Sequence, residues 1–542
     1  MGNLYLAHLG DPFSVSPLVL VGCGEDGEAH AFSLDELSRD DRPIVSYELR
    51  TLVDAFRWAS LQLPRTMIDI GDALRLRSGL SREQGGEKLW SVWSFINPEI
   101  LEPADLERVR RLAESRELFP ERSELGRLLQ QTVKAMREVW RKTLEDLKQT
   151  QELERFLKIE VPVRQIFSFR QYQGLQLDSD AGVELIGAAR NQKYTAFREL
   201  AKVLGYSPTG LSFHNIGDYL ENTDASHLSQ YAHSNQLEQY FKIAQYSSAF
   251  ADSFLRFIKA SRALSVLRTI NYSVGRVYPA FDCFGTVTAR ILVVDPKLQQ
   301  LPKQFRNVLA PDNGMSLWYF DFAQFEPGIL ACLAGDKEFI DYYQSLDVYT
   351  ALSHAVFDTA TERDLCKSIF LAYCYGMTLD RISLLLARKP ELSGRGNLQL
   401  AMSQFFDSMP FLDKFRQLMQ ENLERDGFVA TLLGDRRYRK RTGPLGEKEK
   451  RWALNQAVQG TASLVFKQAL LDLAARFGPG SILLPMHDGI LMQFDVDSDP
   501  QADVESTMVS AFQRWCPAVK PRVSVGAFAT KLPAKSQAGA PS

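Results

Sequence analysis

The stretch that decides the fold is D321-F-A-Q-F-E-P-G-I-L-A-C-L-A-G-D336, preceded by the apolar run Ser-Leu-Trp-Tyr-Phe at 316–320. That run reads as a buried strand, and the residues after Glu326 read as an apolar helix. A carboxylate at the end of a buried strand is costly unless something positive meets it. The candidates are a lysine or arginine, a ring of backbone donors, or a metal ion. Two other stretches bear on the choice. In S481-I-L-L-P-M-H-D-G-I-L-M-Q-F494, two apolar strands flank His487-Asp488-Gly489. Asp-Gly there is a hairpin turn signal, yet the Met-His before it would set His and Asp at the edge of a buried sheet, as a site would. In T361-E-R-D-L-C-K-S-I-F-L-A-Y-C-Y-G-M377, Arg363, Lys367, Leu371 and Tyr375 recur every four residues. That spacing lines them along one helix face. Such a face is either amphipathic with solvated cations, or two cations and a ring suited to a triphosphate and its base. Two carboxylates at neighbouring strand ends can hold two divalent cations about 4 Å apart, which activate an attacking hydroxyl and stabilise a leaving pyrophosphate. Mg²⁺ takes oxygen ligands and keeps several waters, so two Asp side chains, substrate phosphates and a backbone carbonyl suffice. On that reading, magnesium is what meets Asp321.

The chain has 542 residues, which at roughly 150 residues per domain implies three or four units. With 45% apolar and 24% charged residues, it has an ordinary globular composition. No apolar run approaches the roughly 20 residues of a membrane span. The first residues lack a basic segment ahead of an apolar one, so no signal peptide is expected and the cytoplasm is the expected location. The six cysteines show no C-x-x-C spacing and five of them, among apolar neighbours or in helix-like runs, read as reduced core thiols, which argues against a cysteine-based zinc site. The net charge of −3 does not point to nucleic acid, but D435-R-R-Y-R-K-R-T-G-P-L-G-E-K-E-K-R451 carries eight Lys/Arg against three acids. That run is either a solvated loop or a phosphate-facing patch.

Residues 1 to about 100 alternate short apolar runs with turns, and Leu18–Cys23 and Asp26–Phe32 read as a strand pair. Residues 104–158 are charged and helical in period, and V161-P-V-R restarts the pattern, so a boundary falls near 150–160. Residues 160–275 read as helices, 276–336 as strands, and 337–425 as helices broken at R388-K-P and S393-G-R-G. From 426 the chain mixes a strand pair (F428-V-A-T-L-L-G), a long helix from Trp452 to about Phe477, and the apolar hairpin; the tail from Lys535 is expected to be disordered.

Taken together, these stretches make the sequence resemble the family A DNA polymerases, the group of bacterial DNA polymerase I. D321–D336 is similar to their motif A, D-Y-S-Q-I-E-x-R-x-L-A-x-L-S-G-D. R363-D-L-C-K-S-I-F-L-A-Y-C-Y-G376 is similar to motif B, R-x-x-x-K-x-x-x-F-x-x-x-Y-G, and M486-H-D-G489 to motif C, V-H-D-E. N455-Q-A-V-Q-G-T-A462 resembles the family's N-x-x-x-Q-G-T-A helix, and T286-V-T-A-R-I-L-V-V-D-P-K-L-Q-Q-L301 with Pro302 resembles T-x-T-G-R-L-S-S-x-x-P-N-L-Q-N-I-P. The resemblance implies an α/β and α+β multidomain chain. A right-hand polymerase over 156–542 would have a thumb at 156–275, a palm at 276–336 and 426–542, and fingers at 337–425. A ribonuclease H-like, 3′–5′ exonuclease-type domain would precede it at 1–155. It implies template-directed addition of deoxynucleoside triphosphates to a primer–template DNA by two Mg²⁺ ions, for which Mn²⁺ can substitute. Asp321 and Asp488 would bind the metals with the carbonyl of Phe322. Arg363 and Lys367 would hold the triphosphate. Gln324, Leu371 and His487 would lie at the nucleotide or primer end, and Tyr375 with Glu326 would close the pocket against a 2′ hydroxyl. Arg290, Asn455 and Gln459 would contact the primer–template near its end, with Arg436, Arg437 and Arg451 near the DNA backbone. The enzyme is expected to be a monomer that works with or without a replisome or processivity partner, and so compact a polymerase looks like a phage or mobile-element enzyme.

This sequence departs from the pattern in places. Leu371 stands where the family has Phe or Tyr, which predicts poor dideoxynucleotide incorporation. Gly489 replaces the acid of H-D-E, Ala323 replaces Ser, and Ala289 replaces Gly. In the N-terminal region the exonuclease acids would fall on Ala7 and Leu9, and only Asp105 could match the third motif. One acid cannot hold two cations, so this region reads as degenerate and proofreading is not expected. The other readings are a catalytically silent DNA-binding replisome scaffold and a polymerase that keeps 3′–5′ exonuclease through other acids.

Overall fold

The computed structural model of the chain describes residues 2–10, 19–79, 90–114, 121–234, 236–386 and 398–530. The breaks expected at Arg388 and Ser393 and the tail from Lys535 lie outside the described residues. The N-terminal unit is built on β1 (Leu4–Leu9), β2 (Val19–Cys23), β3 (Ala29–Phe32), β4 (Ile44–Ser46) and β5 (Met67–Asp69), in the order β3-β2-β1-β4-β5. The first three strands form an antiparallel meander; β4 runs parallel to β1, and β5 parallel to β4. Strand alternation sorts the apolar residues of β1. Leu4 and Leu6 pack with Leu52 and Phe56 of α1 (Leu49–Trp58), while Tyr5, Ala7 and Leu9 face the core that includes Leu129 and Val133 of the long α2 (Arg122–Gln149). The strand pair and the charged helical region expected from the sequence are both present.

The chain then passes through a π-helical turn, Phe156–Glu160, into α3 (Val161–Gln173). The short β6 (Leu175–Gln176) pairs with β7 (Arg276–Val277), and between them α4 (Ser179–Leu204) packs lengthwise on α5 (Ala249–Thr269). Each of these helices is capped by its preceding polar residue, Asp178 to Ala181 N–H at 2.9 Å and Ser248 to Ala251 N–H at 3.1 Å. β8 (Ala280–Asp282) pairs with β9 (Leu292–Asp295).

The central sheet is assembled from distant parts of the chain. β10 (Met315–Ala323) lies between β14 (Gly489–Asp495) and β15 (Arg522–Gly526), and β13 (Ile482–Met486) pairs outside β14, giving the order β13-β14-β10-β15. All three pairings are antiparallel. From β10 the chain enters α6 (Phe325–Ala334), then α7 (Val348–Phe357) and α8 (Arg363–Cys374). β11 (Phe428–Ala430) and β12 (Arg436–Tyr438) form a separate hairpin. The long helix expected from Trp452 is a rod of three pieces: α9 (Glu447–Asn455), a π-helical turn Gln456–Gly460, and α10 (Thr461–Phe477). α10 packs against α11 (Gln501–Trp515) and against α3. Ion pairs fasten the N-terminal unit to the rest: Arg164 of α3 to Asp72 at 2.7 Å, and Arg75 to Asp282 of β8 at 2.5 Å. No helix among the described residues is long and apolar enough to cross a membrane.

Candidate active site

The carboxylates singled out in the sequence meet at the end of the central sheet. Asp321 on β10 stands opposite Gly489 on β14 and Ser524 on β15. Asp488 sits in the two-residue turn between Met486 and Gly489, the paired ends of β13 and β14. His487, exposed at the tip, adopts φ +62°, and the carbonyl of Asp488 accepts the Phe322 N–H at 3.3 Å, which ties the turn to β10. The glycine after it sits where this chain leaves no room for a side chain. A Cβ on Gly489 would lie 2.5 Å from the Tyr319 hydroxyl, 2.7 Å from Asp321 Oδ1 and 2.8 Å from the Phe320 carbonyl.

Burial pushes the Asp321 carboxyl above its usual range, opposed by Lys367, by the Tyr319 hydroxyl and by Lys303. Asp488 is pushed up to about 6 by burial and then by Glu326, with Arg290 opposing and Asp321 adding to the rise. Carboxylates pressed together in this way disfavour one another's charge. They form an oxygen-only set that suits a hard dication. Among the described residues no cluster of three or more His, Cys, Asp or Glu could hold a metal ion. The two aspartates with the neighbouring backbone carbonyls are an all-oxygen donor set, which suits a hard cation that takes its other ligands from elsewhere.

α8 faces this edge. Arg363 and Lys367 are exposed. Both lie over the ring of buried Tyr349, at 5.4 and 6.0 Å from its centre. Arg363 also bonds Asp347 at 2.8 Å. Leu371 is half-buried one turn further on, and Tyr375 ends the helix as its C-cap, followed by Gly376 at φ +88°. Glu326, mostly buried, joins two of the predicted residues: it accepts one hydrogen bond from the Tyr375 hydroxyl and another from the Arg290 guanidinium. Arg290 in turn lies 3.9 Å from Asp488, and the Gln459 side chain opposes the rise that burial and Glu326 impose on the Tyr375 hydroxyl pKa. Asp321, Asp488, Glu326, Tyr375, Arg290 and Gln459 are thus brought into one network, with Lys367 acting electrostatically on both aspartates.

Gln324 is placed differently. It is buried, takes φ +52° at the start of α6, and its Oε1 accepts the Val348 N–H at 2.9 Å, which pins α7 to α6. In the basic stretch, Arg437 is buried with its guanidinium 4.4 Å from the Trp452 ring centre, and Arg436 lies over Phe428. Arg439 is paired with Glu449 at 2.9 Å. Arg451 packs beside Gly376, and Asn455 flanks the π-helical turn. Sequence reasoning missed Tyr349, Tyr319, Lys303 and Asp347. Asp347 carries a signal: it caps α7 through Thr350 N–H at 2.8 Å, as an aspartate just ahead of an apolar helix does. In the N-terminal unit Ala7 and Leu9 are buried, and Asp105 pairs with Arg127 at 2.9 Å.

Comparison with known proteins bears on this geometry. The sequence profile of DNA polymerase family A matches residues 198–527. The thermostable DNA polymerase I of Thermus aquaticus is 30% identical over 246 residues, 41% of this chain and 29% of that protein. DNA polymerase I of Borreliella burgdorferi is 27% identical over 293 residues, 50% of this chain and 30% of that protein. The chain thus spans less than a third of the length of these curated relatives. The polymerase domain of Pol1 from M. smegmatis, solved with DNA primer-template and dNTP, superposes with a TM-score of 0.72 and 19% identity. The match covers 97% of this chain and 95% of that one, a likeness of fold.

Proposed function

Because the chain belongs to DNA polymerase family A, we propose that it is a template-directed DNA polymerase that adds deoxynucleotides to a primer 3′ end. The observation that carries the reading is the meeting of Asp321 and Asp488 at adjoining strand ends, under the influence of Lys367 from the facing helix. On this reading the hand is divided as the sequence suggests: thumb 156–275, palm 276–336 and 426–542, fingers 337–425. The carboxylates of Asp321 and Asp488 and the carbonyl of Phe322 would hold two Mg²⁺ ions, with Mn²⁺ an alternative in the same oxygen set. Bound there, such ions supply a more acidic primer hydroxyl and charge neutralisation on the leaving pyrophosphate.

The chain's own residues do the rest. Lys367 and Arg363 bind the triphosphate, for which Arg363 must loosen its bond to Asp347. Tyr375 and Glu326, locked together, form a wall where a 2′ hydroxyl would stand, and Arg290 keeps Glu326 in place. Leu371 fills space beside the sugar without offering a hydroxyl, which supports poor use of dideoxynucleotides. Asn455 and Gln459 orient the primer–template at its end, with His487 supporting the primer terminus. Arg436, Arg451 and the exposed Lys440 and Arg441 lie toward the DNA backbone, a contact that weakens with salt. The N-terminal unit is read as a degenerate 3′–5′ exonuclease-like domain. Support comes from its sheet order and from the apolar Ala7 and Leu9 on its central strand.

Primer extension with Mg²⁺ and four deoxynucleotides tests this, comparing wild type with Asp488→Ala and with nucleotide-free controls. Templated extension by wild type alone, with the primer intact in the controls, is expected. Primer shortening in the controls would overturn the loss of proofreading. Binding of primer–template without extension under any divalent cation would overturn the polymerase reading.

A further inference from the structure

Five side chains form a buried ring on the far side of the π-helical turn Gln456–Gly460. Lys467 of α10 bonds Glu160 at 2.6 Å, Glu160 bonds Arg155 at 2.7 Å, Arg155 bonds Asp435 at 3.3 Å, and the Gln456 amide donates to Asp435 at 3.0 Å. The ring begins and ends on one continuous helical rod, at Gln456 and Lys467. Its exposures run from 0% for Lys467 and Gln456 to 6% for Arg155 and Asp435. Away from water such contacts are strong and their loss is costly.

The turn that the ring grips needs outside support. A π-helical turn carries one residue too many for the α ladder, so it persists where its surroundings over-determine it. Here the support is the bend between β11 and β12. Thr431 and Asp435 close that bend on each other, with Thr431 N–H to the Asp435 carbonyl at 2.8 Å and Asp435 N–H to Thr431 Oγ1 at 2.9 Å. The bend is pressed against the turn: a Cβ on Gly460 would lie 2.6 Å from Thr431 Cγ2, and Leu432 N–H bonds Thr461 Oγ1 at 3.0 Å. Arg155 anchors the bend from outside. It comes from the N-terminal third of the chain, and Glu152 holds it at 2.9 Å. The turn, which also carries Gln459, packs against α6, the helix whose Glu326 holds the Tyr375 hydroxyl.

We propose that Arg155 is a positioning residue for nucleotide addition: through Asp435 and Gln456 it fixes the turn 456–460, and with it Gln459 and Asn455 at the primer end of the site. Gln456 is fully buried and its amide is spent on Asp435, so its influence on the site passes through this brace. The inference rests on the polymerase reading above.

The test measures single-nucleotide insertion, kcat and KM for nucleotide and for primer–template, together with Tm, for Arg155→Met, Arg155→Lys and Gln456→Met in the full chain. Gln456→Met keeps every charge of the ring and so remains decisive if Arg155→Met fails to fold. The expected result is a fall in kcat of about tenfold for Gln456→Met and Arg155→Met, measured well below each Tm, because small misplacements of this kind slow chemistry. Arg155→Lys should recover most of that loss. A lowered Tm with unchanged kcat in Gln456→Met would overturn the inference and leave the ring as a staple. Failure of wild type itself to extend a primer would instead refute the polymerase reading.

Discussion

A methyl group at position 489 has nowhere to go. Its neighbours are a backbone carbonyl, a tyrosine hydroxyl and the carboxylate of Asp321, all within 2.8 Å of the added carbon. Gly489→Ala is therefore expected to lower stability by about 1–3 kcal/mol, the usual range for forcing atoms into a packed site, and to slow nucleotide addition by shifting Asp321. A thermal melt and a primer-extension assay on the same preparation check both halves. The sequence marked Gly489 as a departure from the family pattern. The crowding by Tyr319 and Asp321 across the β10–β14 pairing is what only three dimensions supply. Lys367 makes the opposite case. It is exposed, yet it pulls on both Asp321 and Asp488. Lys367→Met should cost roughly a hundredfold in kcat/KM for the nucleotide, as loss of a charge aimed at a developing anion does. Its Tm should stay close to that of wild type; a large drop would mean that the lysine serves the fold instead. That residue was legible from its four-residue spacing with Arg363. Gln324 sits in the same motif as Asp321, but its bond to Val348 could not be read from spacing.

The β13–β14 hairpin and the β10 strand announce themselves because an apolar run and an Asp-Gly turn have local signatures. The two π-helical turns do not, since an extra residue in a helix needs no particular side chain. Asp435 was hidden for a different reason: it opens a basic run, which the eye assigns to the surface, whereas its burial depends on Arg155 from 280 residues away. The same buried element carries a pH signature. Burial raises the Glu152 carboxyl to about 8, with Arg155 opposing, Asp435 adding and Arg436 opposing. The folded chain keeps a proton there that the unfolded chain releases near 4.5. Stability from this group is thus greatest below that value, and it falls as pH rises from about 4.5 to about 8. Glu152→Gln is neutral at every pH. The Tm of the variant should gain on wild type steadily across this window; a gap that does not change with pH would show that Glu152 is ionised throughout.

At the scale of the whole molecule, the N-terminal unit is bolted on rather than tethered. Arg164 grips Asp72 with two bonds, at 2.8 and 2.7 Å, and spends a third on the Phe281 carbonyl at 3.0 Å. Asp72→Ala strands that guanidinium in a mostly buried place, and breaking a buried pair from one side costs about 3–5 kcal/mol. A Tm fall of that order is expected in melts of the variant; a change near zero would mean that the two units are held by their apolar contacts alone. The sheet order has a consequence for synthesis. β10 is flanked on one side by β14 and on the other by β15, at residues 489–495 and 522–526. While a ribosome is working through the later part of the residues between Phe325 and Ser481, the strand that carries Asp321 has emerged with both edges bare. Bare apolar edges invite pairing with other chains, and pairings so distant in sequence form late. A pause in translation after that strand has left the exit tunnel would leave a nascent chain that displays Asp321 and cannot yet shelter it, so chaperone demand should peak there and vanish once residue 526 has cleared the tunnel.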